Sequence, residues 1–373
     1  MDVILEQPFS KSIIFFSFAF FLSFLVNRIF LQFSSNLGMR NPEDTSQVRW
    51  STETKPALGG ISFFILFLIS VLAYVMTVNL PSTEIFSSEL IGLITATTLG
   101  FLIGLADDAY DTNPMLKFLG QFACANILFV MGISIEITSY WFVNYAVSVI
   151  WVVGIMNSIN MLDNMDGITG TISAAIIMSC LMVIYFLHDI DNVYSLILIG
   201  SLAAMLGFLI FNWYPAKMYM GDSGSQFLGV FLAAISMMYL WKFRNVGPTG
   251  EFQFRQFVIP LLAFMLPIID TTTVFIRRIA RGQSPFVGGK DHTTHHLAFA
   301  GLKDNKVALV FLFLSLISIA MVTFAAINKE SWWPIYTISA FVYFLILLGA
   351  IQYVYYLNGK KKMSNLSVND EGG

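Results

Sequence analysis

Four polar clusters interrupt an otherwise apolar chain: Ala106-Asp107-Asp108, the run from Asn157 to Gly167, the run from Met220 to Ser225, and Asp291 to His296. In the second, Asn157, Asn160, Asp163 and Asp166 recur every three residues. Residues at i and i+3 share a helical face, so this spacing predicts a polar stripe that drifts slowly round one helix. Met220-Gly221-Asp222-Ser223-Gly224-Ser225 reads as a glycine turn leading into a helix. A helix start offers free N–H groups to an anion, and Asp222 there suits a hard cation that bridges phosphate oxygens. The fourth cluster, with His292, His295 and His296, follows Arg277, Arg278 and Arg281. Arginines and histidines grip phosphates through charge-assisted hydrogen bonds. The chemistry implied is a metal, several phosphates and a substrate that arrives from the bilayer.

Each cluster also has a plainer reading. Asp107-Asp108 could be a solvated interfacial loop, the stripe a self-satisfied network between helices, and the Gly-Asp turn a simple helix start. The arginines could be basic residues that only set orientation. Convergence favours the chemical reading. Adjacent helical residues point about 100° apart, so one of Asp107 and Asp108 faces the site while the other is held by a hydrogen bond or a lysine. Asn113-Pro114 predicts an N-cap and first helical residue, which brings Lys117 to the same membrane face one turn in. Asp270 lies about two turns before Arg277 on the period of an α-helix. Lys55, within Thr54 to Gly60, is placed to meet an anionic headgroup, and Gly59-Gly60 predicts close helix packing. A zinc site from His292 and His295 competes, but no thiolate or helical His-Glu-x-x-His motif supports it. Cys124 and Cys180 read as small buried hydrophobes. No P-loop and no Gly-x-Gly-x-x-Gly is present, and nothing points to nucleic acid.

The elements that must position these residues are membrane helices. The chain is 57% hydrophobic and 12% charged, against about 25% charged in soluble domains. Eleven apolar runs are predicted to span, near 12–33, 58–79, 88–106, 114–133, 140–157, 168–187, 193–213, 225–242, 257–279, 306–327 and 332–357. Each approaches the ~20 residues a helix needs to cross the hydrocarbon core. The expected fold is all-α and polytopic, with residues 1–357 one transmembrane catalytic domain and 358–373 a disordered cytoplasmic tail. The first run has no small-residue cleavage site after it and is expected to stay as a helix. Fifteen of the twenty Lys and Arg residues fall on one predicted face, among them Arg40, Arg49, Lys117, Lys217, Arg277, Arg278 and Lys360 to Lys362. Lys11, Lys242, Arg244, Arg255 and Lys329 fall on the other. The bias places the N-terminus outside, the C-terminus in the cytoplasm and all four clusters at the cytoplasmic face. Charge is costly near hydrocarbon, so this gathering is a functional-site hypothesis. A transporter of lipid or sugar phosphates is the alternative of another class. Transporters hold their ionisable groups near the bilayer midplane, whereas nearly all of these sit at helix ends, with Asp270 the partial exception, and no inverted repeat is found.

Lys55-Pro56 with Gly59-Gly60, Asp107-Asp108, Lys117 with Gln121, Asn157 to Gly167, Met220 to Ser225, Asp270 with Arg277-Arg278, and His295-His296 together resemble the polyprenyl-phosphate N-acetylhexosamine-1-phosphate transferases. The resemblance implies transfer of N-acetylhexosamine-1-phosphate from a UDP-sugar to undecaprenyl phosphate, with release of UMP, at a bacterial plasma membrane. It favours the branch that starts surface polymers such as O-antigen and teichoic acid, with GlcNAc as the sugar. The branch that transfers phospho-MurNAc-pentapeptide is the alternative, and it usually carries three consecutive histidines. Here Thr293 stands where the surface-polymer branch has its first histidine, and His292 is the expected substitute from a shifted turn. The resemblance also implies Mg2+, with Mn2+ as the other candidate, held by Asp222 and Asp107. It puts Asp107, Asp108, Asp163 and Asp166 in the catalytic set. Lys55, Lys117, Asn157, Asn160, Asp270, Arg277, Arg278, His292, His295 and His296 are implied to bind substrate. Membrane lipid is an expected partner, and a homodimer the expected assembly.

Overall fold

The computed structural model describes residues 8–33, 55–77, 86–188, 192–243, 252–284 and 289–370. Arg40, Arg49, Thr54 and Arg244 lie outside the described residues. The helices are α1 (Pro8–Phe33), α2 (Gly59–Thr77), α3 (Ser88–Tyr110), α4 (Pro114–Val130), α5 (Trp141–Leu162), α6 (Ile168–Leu187), α7 (Val193–Asn212), α8 (Gly221–Tyr239), α9 (Val258–Ala263), α10 (Met265–Ala280), α11 (Thr293–Phe299), α12 (Asp304–Ile327) and α13 (Pro334–Asp370). Among the described residues there is no strand, only one isolated bridge between Ala57 and Tyr219. Among the described residues, nine helices are long and apolar enough to cross a membrane. The chain is a multi-pass, all-α membrane protein. α4, apolar but only 17 residues long, occupies the place of the fourth expected span.

The ninth expected span differs. The segments Phe254–Ala263 and Met265–Ala280 meet at 88°, so this stretch is a broken helix rather than a straight one. Pro267 accounts for the break: it has no N–H to give the carbonyl of Ala263, and its ring crowds that carbonyl. The predicted ends also move at the polar clusters. α3 continues past residue 106 to Tyr110, α5 continues past 157 to Leu162, and α8 begins at Gly221 rather than 225. Asp107, Asp108, Asn160 and Asp222 are therefore on terminal helical turns and Asn157 about one turn further in, not in loops. The last helix continues past Asn358 to Asp370. No proline follows Asn358 to force a stop.

α8 is the hub. Its spanning window is 89% buried, against 17% for α1 and 6% for α13. It packs against α2, α3, α5 and α6. Aromatic rings fill that core: Phe64 stacks on Phe101 at 4.3 Å, and Phe67 meets Phe227 edge-on at 5.5 Å. At the end that matters for the site, packing is at backbone contact. A Cβ on Gly60 would lie 2.2 Å from the Gly224 nitrogen, and one on Gly104 would lie 2.1 Å from the Asp222 carbonyl oxygen. Small residues let helix backbones approach this closely, and they bring α2 and α3 onto the first turn of α8. The peripheral helices present Phe18, Phe21, Ile335, Leu345 and Ile346 outward, the surface expected of a lipid-facing rim.

Candidate active site

Three helix ends meet around Lys117. Asn113 caps α4 by accepting from the Met115 N–H at 2.8 Å, and Pro114 takes the first helical position, as the sequence predicts. Lys117, one turn in, donates to Asp107 Oδ2 at 2.7 Å and to Asn160 Oδ1 at 3.4 Å, and lies 3.8 Å from Asp222 Oδ2. Asn160 Nδ2 donates to Asp222 Oδ1 at 2.6 Å and to Ser225 Oγ at 2.9 Å. The other oxygen of Asp107 accepts from the Thr112 hydroxyl at 2.5 Å and from its N–H at 3.0 Å. Asp108 faces elsewhere and accepts from the backbone N–H groups of Asp222 and Ser223. The expected divergence of the two neighbouring aspartates is present. Beneath this group Asn157 exchanges hydrogen bonds with Gln121, which donates to Gln226 at 3.1 Å. Lys55 lies 5.6 Å from the centre of the Tyr219 ring, beside the segment that leads into Asp222.

The predicted polar stripe splits where α5 ends. Asn157 and Asn160 are on the helix, but Asp163 is its C-cap residue with ψ 50°, and the turn that follows re-aims Asp166. Asp166 Oδ2 accepts from the Ala216 N–H at 2.8 Å and so ties that turn to the segment between α7 and α8. Asn212 makes the same join, accepting from the Gly167 N–H and donating to the Met218 carbonyl.

A second group lies beyond this turn. Asp270 is 1% exposed; it pairs with His292 Nδ1 at 2.9 Å and accepts from the Thr293 N–H at 2.6 Å, where α11 begins. Arg278 holds Asp291 through two hydrogen bonds, at 3.0 and 2.6 Å. The Arg277 guanidinium lies 3.8 Å from the Tyr355 ring centre and donates to Gln352 on α13. His295 is 5.5 Å from His292, ring centre to ring centre, and His296 is 4.8 Å from Tyr355. Thr294 Oγ donates to Asn164 Oδ1 at 2.7 Å, which links the histidine segment to the end of α5. Asp270, Arg277, Arg278 and His292 are thus engaged with protein partners.

The glycosyl transferase family 4 model matches residues 90–240. A probable undecaprenyl-phosphate N-acetylglucosaminyl 1-phosphate transferase of Bacillus subtilis is 29% identical over 306 residues, covering 79% of this chain and 80% of that protein. A decaprenyl-phosphate N-acetylglucosaminephosphotransferase of Mycobacterium leprae is 28% identical, covering 70% and 71%. A phospho-N-acetylmuramoyl-pentapeptide-transferase of Staphylococcus saprophyticus is 30% identical over 302 residues, covering 74% of this chain and 86% of that protein. The chain belongs to glycosyl transferase family 4. The matched family region runs from α3 to α8, so it contains Asp107, Asp108, Lys117, Asn157, Asn160, Asp163, Asp166 and Asp222. Lys55 and the Asp270–His296 group lie outside it.

Electrostatics separates the two groups. Around Lys117 the donors are all oxygen, from two carboxylates, an amide and a hydroxyl. Mg2+ is commonly held by one or two carboxylates plus substrate phosphates, so this donor set fits the metal that the resemblance implies. Among the described residues no three His, Cys, Asp or Glu side chains are grouped to hold an ion alone. Near the histidines, burial, with His292 beside it, pushes the His295 imidazole down to about 4. Burial and the Arg277 charge push His296 down to about 4 as well. Burial raises the Asp291 carboxyl, but the hydrogen bonds and charge of Arg278 outweigh it and hold it below the usual carboxylate range. Both imidazoles are neutral at pH 7, so in this state they offer ring nitrogens for hydrogen bonding rather than the charge expected of them. Thr112, Asn212, Gln226 and Tyr355 were not singled out in the sequence. Gln226, one turn after Asp222 in an apolar helix, carried a signal, whereas Tyr355 carried none.

Proposed function

We propose that this chain transfers N-acetylhexosamine-1-phosphate, GlcNAc-1-phosphate first among the candidates, from a UDP-sugar to undecaprenyl phosphate. UMP leaves, and a cell-surface glycan is begun at the cytoplasmic face of a bacterial plasma membrane. The observation that carries the reading is the convergence of Asp107, Asn160 and Asp222 on Lys117 at three helix ends within the family region. The names of the Bacillus and Mycobacterium relatives support the choice of sugar and lipid.

In the proposed reaction a lipid phosphate oxygen attacks the phosphorus that bears the sugar. A P–O bond forms to give the lipid diphosphate, and the bond to the bridging oxygen breaks, leaving the electron pair on UMP. Such transfers need little covalent help from protein; position and charge neutralisation dominate. A phosphate monoester with its second pKa near 6 is mostly dianionic at pH 7, so Asp107 has no proton it must remove. Held by Thr112 and Lys117, it orients the attacking phosphate and keeps the lysine aimed. Lys117 offsets charge on the phosphates. Asp222 and Asp107 would hold Mg2+, which supplies neutralisation of neighbouring phosphate oxygens. The turn from Asp163 to Asp166 serves the nucleotide side, and His295 and His296 the diphosphate. The test is purified protein with undecaprenyl phosphate, Mg2+ and a panel of UDP-sugars, followed by UMP release. Release with UDP-GlcNAc that needs both lipid phosphate and divalent ion is expected. No UMP from any sugar in the panel would overturn the reading.

A further inference from the structure

We infer that Asp108 is a positioning residue: from α3 it caps the N-terminus of α8 and thereby fixes the Asp222 carboxylate. The inference deepens the proposed transfer and rests on it for the role of Asp222. α8 has no cap of its own, because its N-cap residue is Met220, whose side chain makes no capping hydrogen bond. The first N–H groups of a helix have no partner within it. Asp108 supplies two acceptors from another helix: Oδ1 takes the Asp222 N–H at 3.0 Å and Oδ2 the Ser223 N–H at 2.9 Å. A carboxylate is also favoured there by the helix dipole. Gly104, one turn earlier on α3, puts backbone against the Asp222 carbonyl, so packing fixes the same register. The adjacent aspartates therefore divide the work. Asp107 faces Lys117, and Asp108 holds the residue that Lys117 and Asn160 surround.

Amide exchange on the full-length protein in detergent reads the cap directly. In the wild type, the Asp222 and Ser223 amides should exchange as slowly as amides inside α8, although neither has a partner within the helix. Asp108→Ala should speed both about five- to thirtyfold, the scale of a lost N-cap. Asp108→Asn keeps one acceptor and should fall between. Asp222→Asn, which leaves Asp108 in place, should leave the Ser223 amide protected. In turnover, Asp108→Asn should lower kcat and raise the half-saturating Mg2+ concentration, leave the UDP-sugar KM near its wild-type value, and retain more activity than Asp108→Ala. Fast exchange of the two amides in the wild type would overturn the inference. So would Asp108→Asn and Asp108→Ala proteins that are equally inactive with both amides still protected, because Asp108 would then act on substrate. If no UDP-sugar is used at all, the proposed transfer fails while the exchange result still decides the cap.

Discussion

At the scale of single residues, charge and hydrogen-bond capacity separate the side chains proposed to reach substrate from those that bond only to the protein. Asp222→Asn keeps size and polarity but removes the charge a hard cation needs. Turnover should fall severely, and added Mg2+ should not fully restore it; near-normal activity would move the metal to Asp107. Asp270 gives the opposite expectation. Its partners are His292 and the Thr293 N–H, and an amide can serve both with no charge. Asp270→Asn should keep kcat/KM within about tenfold of wild type, since one neutral hydrogen bond is worth ~1 kcal/mol. Asp270→Ala leaves His292 and Thr293 unsatisfied in a buried place and should lose far more. Equal losses in the two variants would mean that the Asp270 charge itself meets substrate. His295 and His296 set a pH window. Their folded values of about 4 lie below the ordinary ~6.5. The unfolded segment then takes up protons first, so its stability is complete above about pH 6.5 and falls as pH drops toward 4. The protection of α11 amides, corrected for the slower intrinsic exchange at lower pH, should fall between pH 7 and pH 5, and the change should be smaller in His295→Gln. A flat profile would mean that the imidazoles are not held neutral.

At the scale of elements, what is local was legible and what is long-range was not. Apolar runs near 20 residues marked the helices because a bilayer demands that length, and Asn113-Pro114 marked the start of α4 through its own cap. Pro267 also carried the break in the ninth run, although hydropathy alone smoothed over it. The i, i+3 reading of Asn157 and Asn160 held only as far as α5 lasted. Nothing within the stripe said that Asp166 would turn to the Ala216 N–H, a partner fifty residues away in sequence. Likewise the sequence showed that Asp107 and Asp108 diverge, but not that Asp108 would meet the α8 backbone. Residue types for the site were readable, whereas the partners depend on how α3 and α8 dock. That docking makes its own prediction. Gly104→Leu puts four side-chain carbons where there is backbone contact with Asp222, and overpacking of this kind typically costs ~1–3 kcal/mol. The helices should separate, with loss of thermal stability and of activity together. Gly154→Leu, whose Cβ would meet nothing within 4 Å, should change neither. Unaltered stability in Gly104→Leu would show that α3 and α8 are not in contact at this end.

At the scale of the whole molecule, orientation decides which compartment would supply the nucleotide sugar of the proposed transfer. The end of α13 and the candidate site must share a face, because Asn358 Nδ2 donates to the His296 carbonyl at 2.7 Å. α12 lies between the histidine segment and Lys329, and its 24 residues cover ~36 Å at 1.5 Å each. Arg255, packed on Phe243 and Trp332, therefore belongs to the opposite face. A reporter after Lys362 thus reads the side of the active site, and one near Gly247, outside the described residues, reads the other. Fifteen of twenty basic residues on the site's face predict that face to be cytoplasmic. A phosphatase fused after Lys362 should be inactive in cells and a fluorescent protein there bright, with the reverse near Gly247. A C-terminal fusion that reports the outer side would move the whole site out of the cytoplasm. Both positions on one side would mean that the segments between them cross an even number of times, and would remove the argument that the polar clusters converge on one face.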